Sequence, residues 1–129
     1  MNEMKPYYSP DHLRRIPDLM KASPETAASY LHFEKQVYQT ANALPQKTKE
    51  LIAIATAHVT GCPYCIDVHV KKYKALGGTM EEIVESILVA ATTRAGAILS
   101  HGVNALLSYE KEEASTPPHG AQYGPECFC

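Results

Sequence analysis

The chain of 129 residues lacks an excess of either charge: 12 basic side chains stand against 14 acidic ones, for a net charge of −2. That balance excludes the basic stripe on which nucleic-acid binding or docking to an acidic membrane depends. A long charge-free apolar run is missing too. Ile52 to Ile66 comes nearest, but Thr56, His58, Thr60, Gly61 and Pro63 interrupt it, so no bilayer span is expected. Residues 1–20 have no apolar core of a secretory signal, which predicts a cytoplasmic protein. No segment alternates apolar and polar residues as a strand would, and no internal repeat is present. Cysteine is scarce, and the four present are not spread out as in a secreted disulfide framework. They fall into two close pairs, Cys62/Cys65 and Cys127/Cys129, a spacing that points to redox or metal chemistry. The length admits one domain with a sizeable core.

Proline and glycine placement reads as all-α. Proline is absent from 25–44, 46–62 and 64–116, and each run starts at or just after a proline, where a helix tolerates it. Ser23-Pro24-Glu25 reads as an N-cap followed by proline at the first helical position. Beyond it, Ala27, Tyr30, Leu31, Glu34, Val37, Tyr38, Ala41 and Leu44 recur at helical spacing. Pro45 opens a second helix, whose repeating face is Leu51, Ile52, Ala55, His58 and Val59 and which Gly61 ends. A third runs from Cys62 or Pro63 to about Leu76, stopped by Gly77-Gly78. Thr79-x-x-Glu82 is a capping box for a fourth, apolar from Ile83 to Leu107, with a break expected near Arg94-Ala95-Gly96. Its small residues, Ala90, Ala91, Ala95, Gly96, Ala97 and Ser100, suit close packing across a subunit interface. Residues 110–129 lack periodicity and read as a flexible cysteine-containing tail after a domain at 1–109.

The chemistry concentrates at Cys62-Pro63-Tyr64-Cys65, where a helix begins. Cys62 at the N-cap faces unpaired backbone N–H groups and the positive end of the helix dipole, and both favour thiolate over thiol. Cys65 lies one turn on and on the same side, so a disulfide between the two is geometrically reasonable. His69 stands four residues after Cys65, in position to take its proton. Glu50, on the preceding helix, can reach across the Gly61 turn to orient or charge that ring. The same region permits a second reading, a Cys₂His₂ zinc site from His58, Cys62, Cys65 and His69. Against it, all four fall within twelve residues and His58 belongs to the end of another helix. His12, His32, His101 and His119 have no partner in this reading.

The string Glu50-x11-Cys62-x2-Cys65-x3-His69 resembles the alkylhydroperoxidase (AhpD-like) branch of the carboxymuconolactone decarboxylase family. The resemblance covers roughly residues 30–108. It includes Lys49-Glu50-Leu51-Ile52-Ala53 before the motif and Gly77-Gly78-Thr79-Met80-Glu81-Glu82-Ile83 after it. It implies a helical bundle of about five to six helices that assembles as a homo-oligomer, trimer or hexamer. It also implies a thiol-dependent peroxidase or disulfide reductase without cofactor or bound metal. Its substrate would be a small peroxide or disulfide, and a dithiol or thioredoxin-like protein would reduce it. Carried over, Cys65 attacks the peroxide, Cys62 resolves the sulfenic acid, and His69 with Glu50 relays the proton. The decarboxylase branch runs without this cysteine pair. Cys-Pro-Tyr-Cys is also a glutaredoxin tetrapeptide, but that fold needs strands around the motif.

The terminal Cys127-Phe128-Cys129 lies outside the resemblance. With His58 it is an accessory candidate, either exchanging electrons with Cys62–Cys65 or capturing a soft metal or metalloid. The rival functions are thiol-based metal or metalloid binding, and an oligomeric scaffold whose redox site is vestigial.

Overall fold

A computed structural model describes residues 3–114; Cys127, Cys129 and His119 lie outside the described residues. Every regular element among them is helical. A 3₁₀ segment, Pro10–Arg15, leads into the short α1, Ile16–Met20. α2, Pro24–Lys35, passes directly into a π-turn, Gln36–Thr40. α3 spans Gln46–Thr60, α4 Pro63–Ala75 and α5 Met80–Ala114. By internal contacts the chain divides into two units, Met1–Thr93 and Arg94–Cys129.

In the first unit, the α3–α4 hairpin carries the core. Ile54, Tyr73 and Ile83 form its fully buried centre, with Leu51, Val70 and Ile87 packed around them. The fully buried positions of α3 are Glu50, Ile54 and Ala57. Of the predicted Leu51, Ile52, Ala55, His58 and Val59, Leu51 packs against the core, Ala55 and His58 are partly buried, and Ile52 and Val59 are half-exposed. The predicted face lies off the buried line because one buried position, Glu50, is a carboxylate, which does not register in an apolar period. The α2 face predicted to be apolar buries no residue.

Both turns of the hairpin region close by the same device. At the end of α3, Gly61 takes φ 69°, its N–H bonds to His58 O at 3.3 Å, and Cys62 N–H bonds to Ala57 O at 3.0 Å. At the end of α4, Gly77 takes φ 82°, with Gly77 N–H on Lys74 O and Gly78 N–H on Tyr73 O, each at 3.0 Å. These are paired 6→1 and 5→2 bonds around a left-handed glycine, which satisfy carbonyls that the helix would leave open. The α5 capping box forms by half. Glu82 N–H donates to Thr79 Oγ1 at 3.2 Å, but the Glu82 carboxylate accepts from the Tyr73 hydroxyl and pairs with Lys47 at 3.3 Å. Ser23 occupies the N-cap position of α2 without a side-chain capping bond.

α5 runs through Arg94-Ala95-Gly96 without the expected break. One glycine costs only about 1 kcal/mol in a helix, too little to end one flanked by alanines and leucines. It also continues past residue 109, into the segment read as tail. Met80–Lys111, with an 18-residue stretch at a mean hydropathy of 1.4, is long and apolar enough to cross a membrane by length and composition. The expectation of no bilayer span rested on charge-free runs, and isolated charges such as Arg94 end such a run without making a long helix polar. In the second unit, the described part of α5 leaves Ile98, Leu99, Val103, Leu106 and Leu107 exposed.

Candidate redox site

The close of α3 delivers Cys62 to the start of α4. The backbone bond from Cys62 N to Ala57 O ends one helix, and Cys62 is at the same time the N-cap of the next. Its Sγ accepts the Cys65 N–H at 3.2 Å, and its carbonyl accepts Ile66 N–H at 3.0 Å. Pro63 fills the first helical position, where a missing N–H costs nothing. Cys62 and Cys65 are joined as a disulfide, with their Cα atoms 5.3 Å apart.

One and a half turns along from Pro63, His69 meets α3. Its Nδ1 is 2.6 Å from Glu50 Oε2, and the carboxylate is 2% exposed. An ionised carboxylate only accepts, so Nδ1 carries the proton and Nε2 remains the free nitrogen. A buried carboxylate is costly unless paired, and His69 is the partner that makes Glu50 tolerable inside the hairpin. Cys65 and His69 both line a cavity of about 390 Å³, whose other walls include Val37, Leu44, Ile52 and Ala53. In the disulfide state the two share this wall and no hydrogen bond joins them.

Two residues not singled out from the sequence as site candidates, Tyr38 and Lys49, also line the cavity of Cys65 and His69. Tyr38, from the π-turn, stacks on the His69 ring with centroids 5.8 Å and planes 19° apart. Burial, then the Glu50 and Glu34 carboxylates, raise its phenol above the ordinary 10.0, so it stays neutral. Lys49 donates from Nζ to the Val37 carbonyl at 2.6 Å and to the Ala41 carbonyl. Tyr38 stood in the sequence only as one position of an apolar repeat, and a π-turn leaves no mark on a 3.6-residue period.

The remaining candidates separate. His58 Nδ1 bonds to Ile54 O at 2.7 Å, back along its own helix. Among the described residues, no three or more His, Cys, Asp or Glu side chains gather as a metal site, so the Cys₂His₂ arrangement of His58, Cys62, Cys65 and His69 does not form. His12, read as partnerless, has its Nδ1 3.0 Å from the Tyr64 hydroxyl. Tyr8 packs edge-on against the same ring at 4.5 Å and donates its hydroxyl to Pro63 O at 3.3 Å. The N-terminal segment therefore lies against the two residues between the cysteines.

An all-helical protein with a helix-capping disulfide beside a buried Glu–His pair is the class that this fold and site define. The chain belongs to the carboxymuconolactone decarboxylase family, whose sequence pattern it matches over residues 24–107. It is 49% identical over 78 residues to the Paracoccus denitrificans uncharacterized protein 4 in cox locus, covering 60% of this chain and 69% of that one. A carboxymuconolactone decarboxylase family protein from Legionella pneumophila, solved in its apo form, superposes with TM-score 0.59 at 31% identity, over 78% of this chain and 89% of the other. A Methanobacterium thermoautotrophicum protein superposes with TM-score 0.64 at 28% identity, over 67% of this chain and 97% of its own.

Proposed function

We propose that this family member is an AhpD-like thiol peroxidase or disulfide reductase that cycles through Cys62 and Cys65. The observation that carries the reading is the 2.6 Å bond between Glu50 and His69, next to a disulfide in the same α3–α4 hairpin. In the reduced state His69 Nε2 takes the Cys65 proton, and Glu50 stabilises the imidazolium that results. The Cys65 thiolate then attacks the terminal oxygen of a hydroperoxide. The O–O bond breaks, the alkoxide takes the proton from His69 and leaves as the alcohol, and Cys65 becomes a sulfenic acid. Cys62, whose sulfur accepts the Cys65 N–H at the helix N-terminus, attacks that sulfur. Water leaves and the disulfide forms. An external dithiol, small or thioredoxin-like, returns two electrons and two protons by exchange, itself becoming a disulfide.

The intact cysteine pair directs the reading towards redox chemistry and away from decarboxylation. The apolar walls of the Cys65 cavity suit a hydroperoxide with an organic tail. Peroxide treatment of the reduced protein followed by mass spectrometry tests the cycle. The expected product is the Cys62–Cys65 disulfide, and Cys65→Ser abolishes turnover. Retained turnover in that variant would refute the assignment. Dihydrolipoamide, thioredoxin and glutathione, tried against the oxidised protein, identify the donor class.

The chain is also proposed to assemble with copies of itself, because the described second unit exposes a row of large apolar side chains along one helix.

A further inference from the structure

Lys49 and Glu50 are consecutive residues of α3 with different tasks. Glu50 holds Nδ1 of His69, while Lys49 reaches back to the carbonyls of Val37 and Ala41. Those two carbonyls bracket Tyr38. The π-turn closes with Ala41 N–H on Gln36 O at 2.9 Å, and its wide turn leaves C-terminal carbonyls for a side-chain cation to satisfy. The backbone around Tyr38 is thus tied to the residue next to the carboxylate.

The Tyr38 ring is held from α4 as well. His69 stacks on it, and the Lys72 ammonium, one turn further along the same helix, stands 5.8 Å from its centroid. A closed circuit results: Tyr38 to His69 by stacking, His69 to Glu50 by hydrogen bond, Glu50 to Lys49 by the chain, and Lys49 back to the carbonyls beside Tyr38. Tyr38 also lines both the Cys65–His69 cavity and a neighbouring one of about 460 Å³ that Glu50 borders. Its ring is part of the wall between the thiol side and the carboxylate side of the relay.

We propose that Tyr38 is a positioning residue: its ring, held by the π-turn and Lys49, keeps the His69 imidazole on Glu50 and in the cavity of Cys65. The proposal rests on the dithiol reading for its chemistry and on this circuit for its geometry. A free imidazole can rotate about its last side-chain torsion, which is broad and roughly two-fold. Stacking removes that freedom, so Nε2 remains available to the thiol instead of exchanging places with Nδ1. The neutral phenol does not carry the relay's proton.

The test is the pH profile of Cys65 alkylation by iodoacetamide in the reduced protein, mapped by mass spectrometry. Tyr38→Leu removes the ring and is expected to move the profile up by about one pH unit, with a roughly tenfold slower rate near neutrality. Tyr38→Phe keeps the ring and restores the wild-type profile. A wild-type profile for Tyr38→Leu overturns the proposal. If Tyr38→Leu loses its helical circular dichroism, Lys49→Met decides: the same upward move supports the circuit, and an unmoved profile overturns it. Peroxide turnover is measured separately. A wild-type protein that never turns over peroxide removes the peroxidase reading, while the alkylation profile still decides the role of Tyr38.

Discussion

Glu50 shows how one side chain can be legible in a sequence for one purpose and hidden for another. Its spacing to the cysteines marked it as a candidate, yet its burial was invisible, because a carboxylate on an inward stripe is an exception to the usual ranking. The structure supplies the reason: His69 accepts the cost by donating at 2.6 Å. Glu50→Gln keeps an acceptor for Nδ1 but removes the charge that stabilises imidazolium. Peroxide reduction followed by stopped flow is expected to slow about tenfold or more. Glu50→Ala strands His69 and is expected to lose about 1–3 kcal/mol in urea denaturation. Tyr38 predicts a pH dependence. Its folded pKa lies above the ordinary 10.0, first through burial and then through Glu50 and Glu34. Between the unfolded and folded values the folded chain keeps a proton that the unfolded chain has lost, so its contribution is intact below about pH 10 and fades above it. Urea unfolding at about pH 9 and about pH 11 is expected to show a smaller alkaline loss for Tyr38→Phe than for the wild type.

Helix ends were the most legible elements, because they are decided locally. Gly61, Pro63, Gly77 and Thr79 each stand where the sequence placed a terminus, and each does so by backbone geometry that depends on near neighbours. Elements governed by distant partners were not legible. The Glu82 carboxylate left the capping box for Tyr73 and Lys47, and the π-turn formed where a continuing α-helix was expected. Two turn glycines separate local strain from packing. A Cβ on Gly61 meets open space, so Gly61→Ala pays only the left-handed backbone cost, about 1–2 kcal/mol. A Cβ on Gly78 would overlap the ring of Tyr73, which is fully buried and cannot swing aside. Gly78→Ala is therefore expected to be destabilising by about 1–3 kcal/mol through overpacking, and urea midpoints for the two variants measure the strain and packing costs separately.

At the scale of the whole molecule, the small and apolar residues of α5 lead to the expectation of an assembly, and the described second unit leaves large side chains of that helix uncovered, with Leu99 at 77% exposure. Light scattering is expected to report an oligomer for the wild type and a smaller species for the double variant Leu99→Glu, Leu106→Glu. A wild-type monomer would sink the assembly reading, and recovery in a detergent-dependent membrane fraction would assign the helix to a bilayer instead. By itself the sequence determined the helical class, the termini around the motif, the Cys62–Cys65 pair and the Glu50–His69 candidates. These follow from steric preferences and from spacing along a helix, which act over a few residues. Only the tertiary structure decided that Glu50 is buried, that His58 turns back to its own helix, that Tyr38 stacks on His69 and that Lys49 reaches the carbonyls of Val37 and Ala41. Those outcomes depend on how the π-turn, α3 and α4 meet, and no local period records that. Of the two cysteine pairs, the structure describes only the one that caps α4.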